Sequence, residues 1–480
     1  MRSDVLRKLA CVLCEQNHKV TVTIIRAEDG WQCRNQITDI EPGDTTDCTF
    51  GLAVDVGTTT CAVQLVDLAQ NRFVAVGSDY NDQLKRGLDI ISRINYAKKP
   101  ERRDELRWLV LETLNAVTVR LCSENEIRQS DINNAAVAGN TTMVHLLLGL
   151  DPEYIRLEPY TPTVNQAPVL RAGDIGLSVS DGAPVIFAPG VGSYVGGDIT
   201  AGLLETESIS DCESIRLYLD VGTKGEVAIG NNEWLMACAA SAGPAFEGSG
   251  VRCGLRATPG AVERVRIEPE SGKARVITID HAKPKDICGS GMIDLLAELR
   301  SAGLLDPSGK LNADTGTGFV HPAEESPRHN AYTIIPANES DSGVLIVIDK
   351  RDIHNLLRTK AAVYSAASLI LKSLDLDFEV VEEVYIAGGF GRFLDIEKSI
   401  AIGLLPDLPL DKFRYLSNAA LAGARAMLVS RDARAKVRRL ADRITYIELN
   451  TDPAYMDEFT AALFLPHTDL DRFPTIKKTL

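Results

Sequence analysis

The spacing of apolar positions changes period several times along this 480-residue chain, and the changes mark its elements. Leu6, Leu9, Val12 and Leu13 recur at helical spacing behind Ser3 and Asp4, which predicts a helix over 3–16. Lys19–Arg26 and a segment near Trp31–Ile40 read as strands joined by a turn at Asp29-Gly30, and Glu41-Pro42-Gly43-Asp44 breaks the pattern. A boundary is placed at about residue 48. From Gly51 the chain reads strand (Leu52–Val56), tight turn (Gly57-Thr58-Thr59), strand (Cys61–Leu68). A long helix over Glu101–Asn125, a short strand Ala135–Ala138 ending at Gly139-Asn140 and a helix Thr141–Leu148 follow, then Gly- and Pro-rich loops over 150–195. A second strand–turn–strand comes next: Ile215–Val221, the turn 222–225, Glu226–Ile229. Beyond it are glycine-rich loops (241–260), a hairpin (Val262–Ile279) and a helix launched from Gly289-Ser290-Gly291. A loop-rich stretch (306–345), a helix Asp349–Leu374, a strand Val380–Ala387 and a glycine turn Gly388–Gly391 complete the reading.

The repeat within this pattern matters most. Asp-Val-Gly-Thr stands at 55–58 and again at 220–223, each time between two apolar strands, and the offset is about one domain length. The predicted organisation is a small N-terminal αββ segment (1–48), a first lobe (49–205) and a second lobe (206–480).

Composition narrows the class. No stretch approaches the roughly 20 apolar residues of a membrane span, and the N-terminus lacks the pattern of a secretory signal, so a cytoplasmic chain with no membrane partner is expected. A formal net charge of −15 argues against nucleic acid as a partner. The ten cysteines are scattered, as in a reduced compartment. Cys11 and Cys14 form a C-x-x-C pair inside the helical pattern, and Cys33 and Cys48 fit neither zinc nor ferredoxin spacing, so buried thiols are the expectation.

A tight turn between two buried strands presents successive backbone N–H groups on one side, and such a nest binds anions without a basic side chain. Gly57, Thr58, Thr59 and Thr60 form one such turn; Gly222, Thr223, Lys224 and Gly225 form the other. Asp55 and Asp220, at the ends of the first strands, suit Mg²⁺ held through water. Two turns facing one another across a cleft would grip the β- and γ-phosphates of ATP, and Gly388, Gly389 and Gly391 suit close approach of adenosine.

This order resembles the actin, sugar-kinase and heat-shock chaperone ATPase superfamily. Its parts look like phosphate motif one (Gly51–Leu68), a first connecting helix (Asn134–Leu150), phosphate motif two (Leu217–Ile229), the adenosine motif (Val384–Phe393) and a small-residue second connecting helix (Ser417–Met427). The resemblance implies an α/β fold, a duplicated actin-like (ribonuclease H-like) core of two lobes around a nucleotide cleft. In the last helix, the Ala/Gly run 419–424 would let the two connecting helices cross closely.

Longer runs narrow it further. GLAVDVGTTT, AVAGNTTMVHLLLGL with Pro159-Tyr160 after it, APGVGSYVGGDITAGLL, DVGTKGE, SAGPAFEGSGVRCGLRA, ICGSGMIDLLAEL and VYIAGGFGRFLDIEKSIAIGLLP are similar to the reductive activators of corrinoid-dependent enzymes, from about residue 50 to 465. The resemblance implies an ATPase that couples ATP to return of Co(II) to Co(I) in a corrinoid protein of a methyltransferase system. Members commonly carry an iron–sulfur domain. Here about 48 residues precede the core and no Cys follows Cys288, so no iron–sulfur cluster is expected on this chain and a separate low-potential, ferredoxin-like donor is. Lys224 stands where the family has Asn, and contact with the γ-phosphate or with solvent are both open.

Asp198, after Gly196-Gly197 and about 20 residues before the second turn, is similar in placement to the catalytic base of glycerol-kinase-like enzymes; the plain alternative is a helix N-cap. Glu226 and Glu247 are further cleft candidates, and His145 on its apolar helix reads as core. Two other functions share the superfamily: a small-molecule or sugar kinase, and a non-redox chaperone or assembly factor. The runs at 236–256 and 287–299 favour the activator. A related activator class, for 2-hydroxyacyl-CoA dehydratases, would need a cysteine placed to share a cluster across a dimer axis; Cys253 and Cys288 are the candidates. The corrinoid protein served and the oligomeric state, a homodimer included, are not legible.

Overall fold

The computed structural model describes residues 20–29, 32–47, 49–206, 209–222, 224–243, 245–248, 250–324, 328–388, 394–449 and 452–478. The helix expected over 3–16, with Cys11 and Cys14, lies outside them, as do Cys48, Thr223, Gly389 and Gly391.

The chain divides into two compact units, one formed by residues 1–208 with 419–444 and the other by 209–418 with 445–480. The first division falls beside the expected lobe boundary, whereas 419–444, expected with the second lobe, packs with the first unit.

In the first unit, β1 (Val20–Asp29) and β2 (Gln32–Pro42) form the expected hairpin. A six-stranded sheet follows, built from β3 (Phe50–Val56), β4 (Thr60–Asp67), β5 (Arg72–Tyr80), β6 (Ile132–Gly139), β7 (Leu170–Arg171) and β8 (Pro184–Phe187), in the order β5-β4-β3-β6-β8-β7. Strands β5, β7 and β8 lie in stretches without a strand expectation; Pro184 and the surrounding loop residues hide the four-residue β8, which is buried on both faces. Alternation along β3 sets the layers. Leu52, Val54 and Val56 face a core shared with two helices that follow the short α1 (Ile90–Tyr96), α2 (Pro100–Glu124) and α3 (Thr141–Leu148). Ala53, with Ala136 and Ala138 of β6, faces the other way, and these small side chains let helices settle close to the sheet. The helices there are α4 (Gly197–Gly202) and the Ala-rich segment 419–429.

In the second unit, β9 (Ile215–Val221), β10 (Gly225–Gly230) and β11 (Leu235–Ala240) are followed by a small sheet, β12 (Ala261–Ile267), β13 (Ala274–Thr278) and β14 (Asp286–Ile287), and by helix α5 (Gly289–Ser301). The stretch 306–345 is not the loop its composition suggested. It contributes β15 (Val320–Pro322) and β16 (Asn330–Ile335), which join β17 (Ile346–Asp349) in an antiparallel sheet. Five successive residues of β16 are buried, so no alternation betrays it. Helix α6 (Lys350–Lys372), capped by Asp349 accepting from the backbone N–H groups of Arg351 and Asp352, leads to β18 (Val381–Ala387). Then come α7 (Ile396–Ala401), β19 (Phe413–Tyr415), and, in the first unit, α8 (Ala419–Val429) and α9 (Arg431–Arg443). β20 (Ile444–Ile447) and α10 (Pro453–Ala462) return to the second unit, whose main sheet runs β19-β18-β9-β10-β11-β20.

Numbering each main sheet from its own first strand gives the same run, third-second-first-fourth, with the first three antiparallel, the fourth parallel to the first, and a further parallel strand beyond the fourth, β8 in one sheet and β19 in the other. The Asp-Val-Gly-Thr repeat therefore reflects a duplicated architecture. The fold is an actin-like core, made twice.

Helix α8 carries the small-residue run. A Cβ on Gly423 would lie 2.0 Å from the Ala201 carbonyl oxygen, so the close crossing that the run permits is with α4 in the same unit. Among the described residues no helix is long and apolar enough to cross a membrane.

Candidate functional site

Asp55 is the penultimate residue of β3, in register with Ala62 of β4 and Ala138 of β6. It shares the sheet face of Ala53, on which α4 and α8 pack. The turn that follows is tight enough to demand glycine, because a Cβ on Gly57 would stand 2.3 Å from the Thr60 carbonyl oxygen. The turn is held from behind by side chains. Asn81 Nδ2 donates to the Gly57 carbonyl at 2.9 Å, and the Asn81 backbone N–H donates to Thr59 at 3.0 Å. Asn140 Nδ2 donates to Thr58 Oγ1 at 3.0 Å while its Oδ1 accepts from the Met143 N–H, capping α3.

Arg93, which no sequence signal marked, lies beneath the same turn. Its side chain is completely buried; Nη2 donates to the Thr58 carbonyl at 2.5 Å, Nε to Gly87 O at 2.9 Å and Nη1 to Gln83 Oε1 at 3.0 Å. Burial lowers its pKa to about 10, so it stays charged at neutral pH. Among the described residues it makes no ion pair with a carboxylate, and its N–H groups bond to neutral acceptors. Burial also pushes the thiol of neighbouring Cys61 up, with Asp55 adding to the effect, so Cys61 is an unreactive core thiol.

Asp198 stands at the second helical position of α4, whose N-cap is Gly196. The plain N-cap reading of Asp198 is thereby replaced. One carboxylate oxygen accepts from the Ile199 N–H at 2.9 Å. A Cβ on Gly196 would lie 2.5 Å from Asn140 Cα, so the loop bearing Asp198 passes directly against the start of α3. His145 is core, as expected. Its Nε2 accepts from the Thr163 N–H (3.1 Å), which leaves the proton on Nδ1 to donate to the Thr141 carbonyl (2.7 Å), and burial lowers its pKa.

In the second unit Asp220 repeats the position of Asp55. It is in register with Glu226 of β10 and Ala387 of β18. Asp220 and Glu226 are thus directly opposed on one face, and like charges so placed repel unless a cation lies between them. Tyr218 Oη donates to Asp220 Oδ2 at 3.3 Å. The Gly222 N–H donates to the Lys224 carbonyl at 3.0 Å, closing the turn, and Glu247 Oε1 lies 3.1 Å from where a Gly222 Cβ would be. Glu247 is held there through α6: Thr359 Oγ1 donates to Ala242 O (2.6 Å), Asn355 Nδ2 to Gly250 O (2.7 Å), and Asp352 accepts from the Arg252 N–H (3.1 Å). Asp220, Gly222, Lys224, Gly225, Glu226, Glu247 and Gly388 therefore gather at one sheet end.

A counterpart pair escaped the sequence reading. Gly139 ends β6 and Gly388 follows β18, and a Cβ on either would press on the carbonyl of the last residue of the first strand, at 3.1 Å from Val56 and 2.5 Å from Val221. The adenosine-type glycine turn has a twin in the first unit, where Asn140 follows it.

A duplicated actin-like core whose sheet ends carry paired Asp–Gly turns defines a nucleotide-binding class of protein. The chain matches two family descriptions: "RACo middle region" over residues 50–209 and "C-terminal domain of RACo the ASKHA domain" over 214–477. It is 32% identical over 433 residues to "Corrinoid activation enzyme RamQ" of Eubacterium limosum, covering 88% of this chain and 72% of that one. It is 24% identical over 412 residues to the "[Co(II) methylated amine-specific corrinoid protein] reductase" of Methanosarcina barkeri, covering 82% and 73%. A solved structure, "Reductive activator for corrinoid,iron-sulfur protein", superposes with a TM-score of 0.90 at 43% identity over 99% of this chain and 74% of that chain. The chain belongs to the RACo family of reductive activators.

Proposed function

We propose that this protein is an ATP-dependent reductive activator that returns the Co(II) form of a corrinoid protein to Co(I), with the electron supplied by a separate low-potential donor. The supporting observation is the duplicated turn set within a chain that belongs to an activator family and is 43% identical to a reductive activator over nearly its whole length.

The residues fit nucleotide and Mg²⁺. Both turns stand at the ends of strands with a parallel neighbour, the first carries the hydroxyls of Thr58, Thr59 and Thr60, and the opposed Asp220 and Glu226 make a place where a cation relieves repulsion. When bound, MgATP supplies the free energy for an uphill electron transfer. Asp55 and Asp220 would be the residues that hold the hydrated cation, the two Asp–Gly turns would bind phosphate oxygens, and Asp198 would orient and deprotonate the attacking water. Glu226 and Glu247 adjust the charge around the second turn. Arg93 contributes a buried positive charge beneath the first turn; in a medium of effective dielectric about 20, a unit charge at about 8–10 Å is worth roughly 2 kcal/mol to an anion. Nucleotide can drive corrinoid reduction only by binding two conformations of the protein unequally, and hydrolysis returns the weaker-binding one.

The test is a Co(II)-to-Co(I) absorbance assay with a corrinoid protein, a chemical reductant and MgATP. Reduction that requires both this protein and ATP supports the reading. Appearance of a phosphorylated small molecule, with cobalt unchanged, would select the kinase reading instead.

A further inference from the structure

In the second unit, a recess of about 420 Å³ opens between the 308–311 turn, the start of β16 and the first turns of α6. That volume is in the range of small-molecule sites, roughly 300–1,000 Å³. Its lining includes Lys310, Arg328 and Lys350, together with His329 and His354, and no carboxylate. All five side chains are exposed, and among the described residues none of the three cations forms an ion pair.

Two nearby acids are otherwise engaged. Asp349, next to Lys350, pairs with Arg252 at 2.7 Å and accepts from the helix N–H groups of Arg351 and Asp352. Asp306, in the adjoining recess, accepts from Ser308 N–H and Oγ and from the Lys310 N–H. In a chain of formal net charge −15, which on average repels anions, a recess with three unpaired cations and no acid in its lining is a local reversal of field. Leu311 and Leu357 give it an apolar wall beside the charges.

We infer that this recess is a second anion site, which takes a small molecule bearing a phosphoryl group with an apolar portion against Leu311 and Leu357. Arg328 supplies a planar fork for phosphoryl oxygens, Lys310 and Lys350 supply point charges, and the two imidazoles add ring N–H donors. The inference does not depend on the nucleotide reading of the strand-end turns.

Pyridoxal 5′-phosphate is the probe. Its aldehyde condenses with a lysine amine, releasing water, and borohydride then delivers hydride to the imine and fixes the label for peptide mapping. Labelling is run on the full chain with saturating MgATP present. Lys310 and Lys350 are expected to label at least tenfold faster than the exposed Lys98 and Lys99, and millimolar pyrophosphate is expected to protect them. Arg328→Gln should raise the pyrophosphate concentration needed for half-protection about tenfold, with the melting temperature unchanged. Equal labelling of all exposed lysines, or no protection by pyrophosphate, overturns the inference. Protection by an acidic peptide but not by pyrophosphate also overturns it, in favour of a protein-docking surface.

Discussion

Arg93 carries a full charge into a place where its bonded partners are carbonyls, an amide oxygen and the Met143 sulfur. Removing it deletes both a strut of the Gly57–Thr60 turn and a charge beneath it, and the two losses are separable. Arg93→Met is expected to weaken ATP about tenfold by calorimetry while adenosine binding changes less than threefold; equal weakening of both would reduce Arg93 to a strut. Asp198 gives the complementary case. Because asparagine keeps an oxygen that can accept from the Ile199 N–H, Asp198→Asn should keep the fold and hold the ATP dissociation constant within threefold, while single-turnover hydrolysis falls at least a hundredfold. Loss of binding and turnover together would make the residue structural.

Among the elements, α8 makes the most demanding contact. Alanine is the better helix former by about 1 kcal/mol, so Gly423→Ala would stabilise an isolated helix. Here the added Cβ meets the Ala201 carbonyl at 2.0 Å, and α4 with its Asp198 must shift. The variant is expected to be less stable by about 2–3 kcal/mol in urea unfolding, and a midpoint equal to the parent's would refute the close crossing. The element that anchors the second unit's C-terminal segment gives a pH prediction. Buried His467 packs between Tyr364 and Phe473; its Nδ1 accepts from the Asp469 N–H at 2.9 Å, and Nε2 lies 3.9 Å from Glu458. Burial, with Arg472 adding to it, lowers its pKa to about 4. An unfolded chain takes up the proton first as pH falls, near the usual histidine value. Stability from this residue is therefore full above about pH 6.5 and declines by about 2–3 kcal/mol on the way down to pH 4. Unfolding free energies measured at pH 7.5 and 5 should show the decline, and His467→Gln should remove that part of it.

At the scale of the whole molecule, what the chain displays locally was readable and what depends on distant partners was not. The two Asp–Gly turns stood out because glycine punctuates a strand pair twice in the same way, and the architecture followed from that repetition. Strands β8 and β16 were hidden: strands buried on both faces lack alternation, and Pro184 with its loop neighbours imitates a turn. Arg93 and Asn81 look like ordinary surface polar residues until β3, α1 and α3 enclose them. The strand-end twin of Gly388 was missed because Gly139 is followed by Asn, and only the matching strand order reveals the equivalence.

The path of the chain through its two units has a consequence for biosynthesis. The face of the first sheet that bears Ala53, Ala136 and Ala138 is covered by Leu421, Ala424, Met427 and Leu428 of α8, which leaves the ribosome roughly 220 residues after the rest of that unit, a delay on the order of 10–40 s at ordinary elongation rates. Throughout that interval an apolar surface on an otherwise finished sheet awaits its cover, so a nascent chain stalled before residue 419 should be sticky and a natural client of holding chaperones.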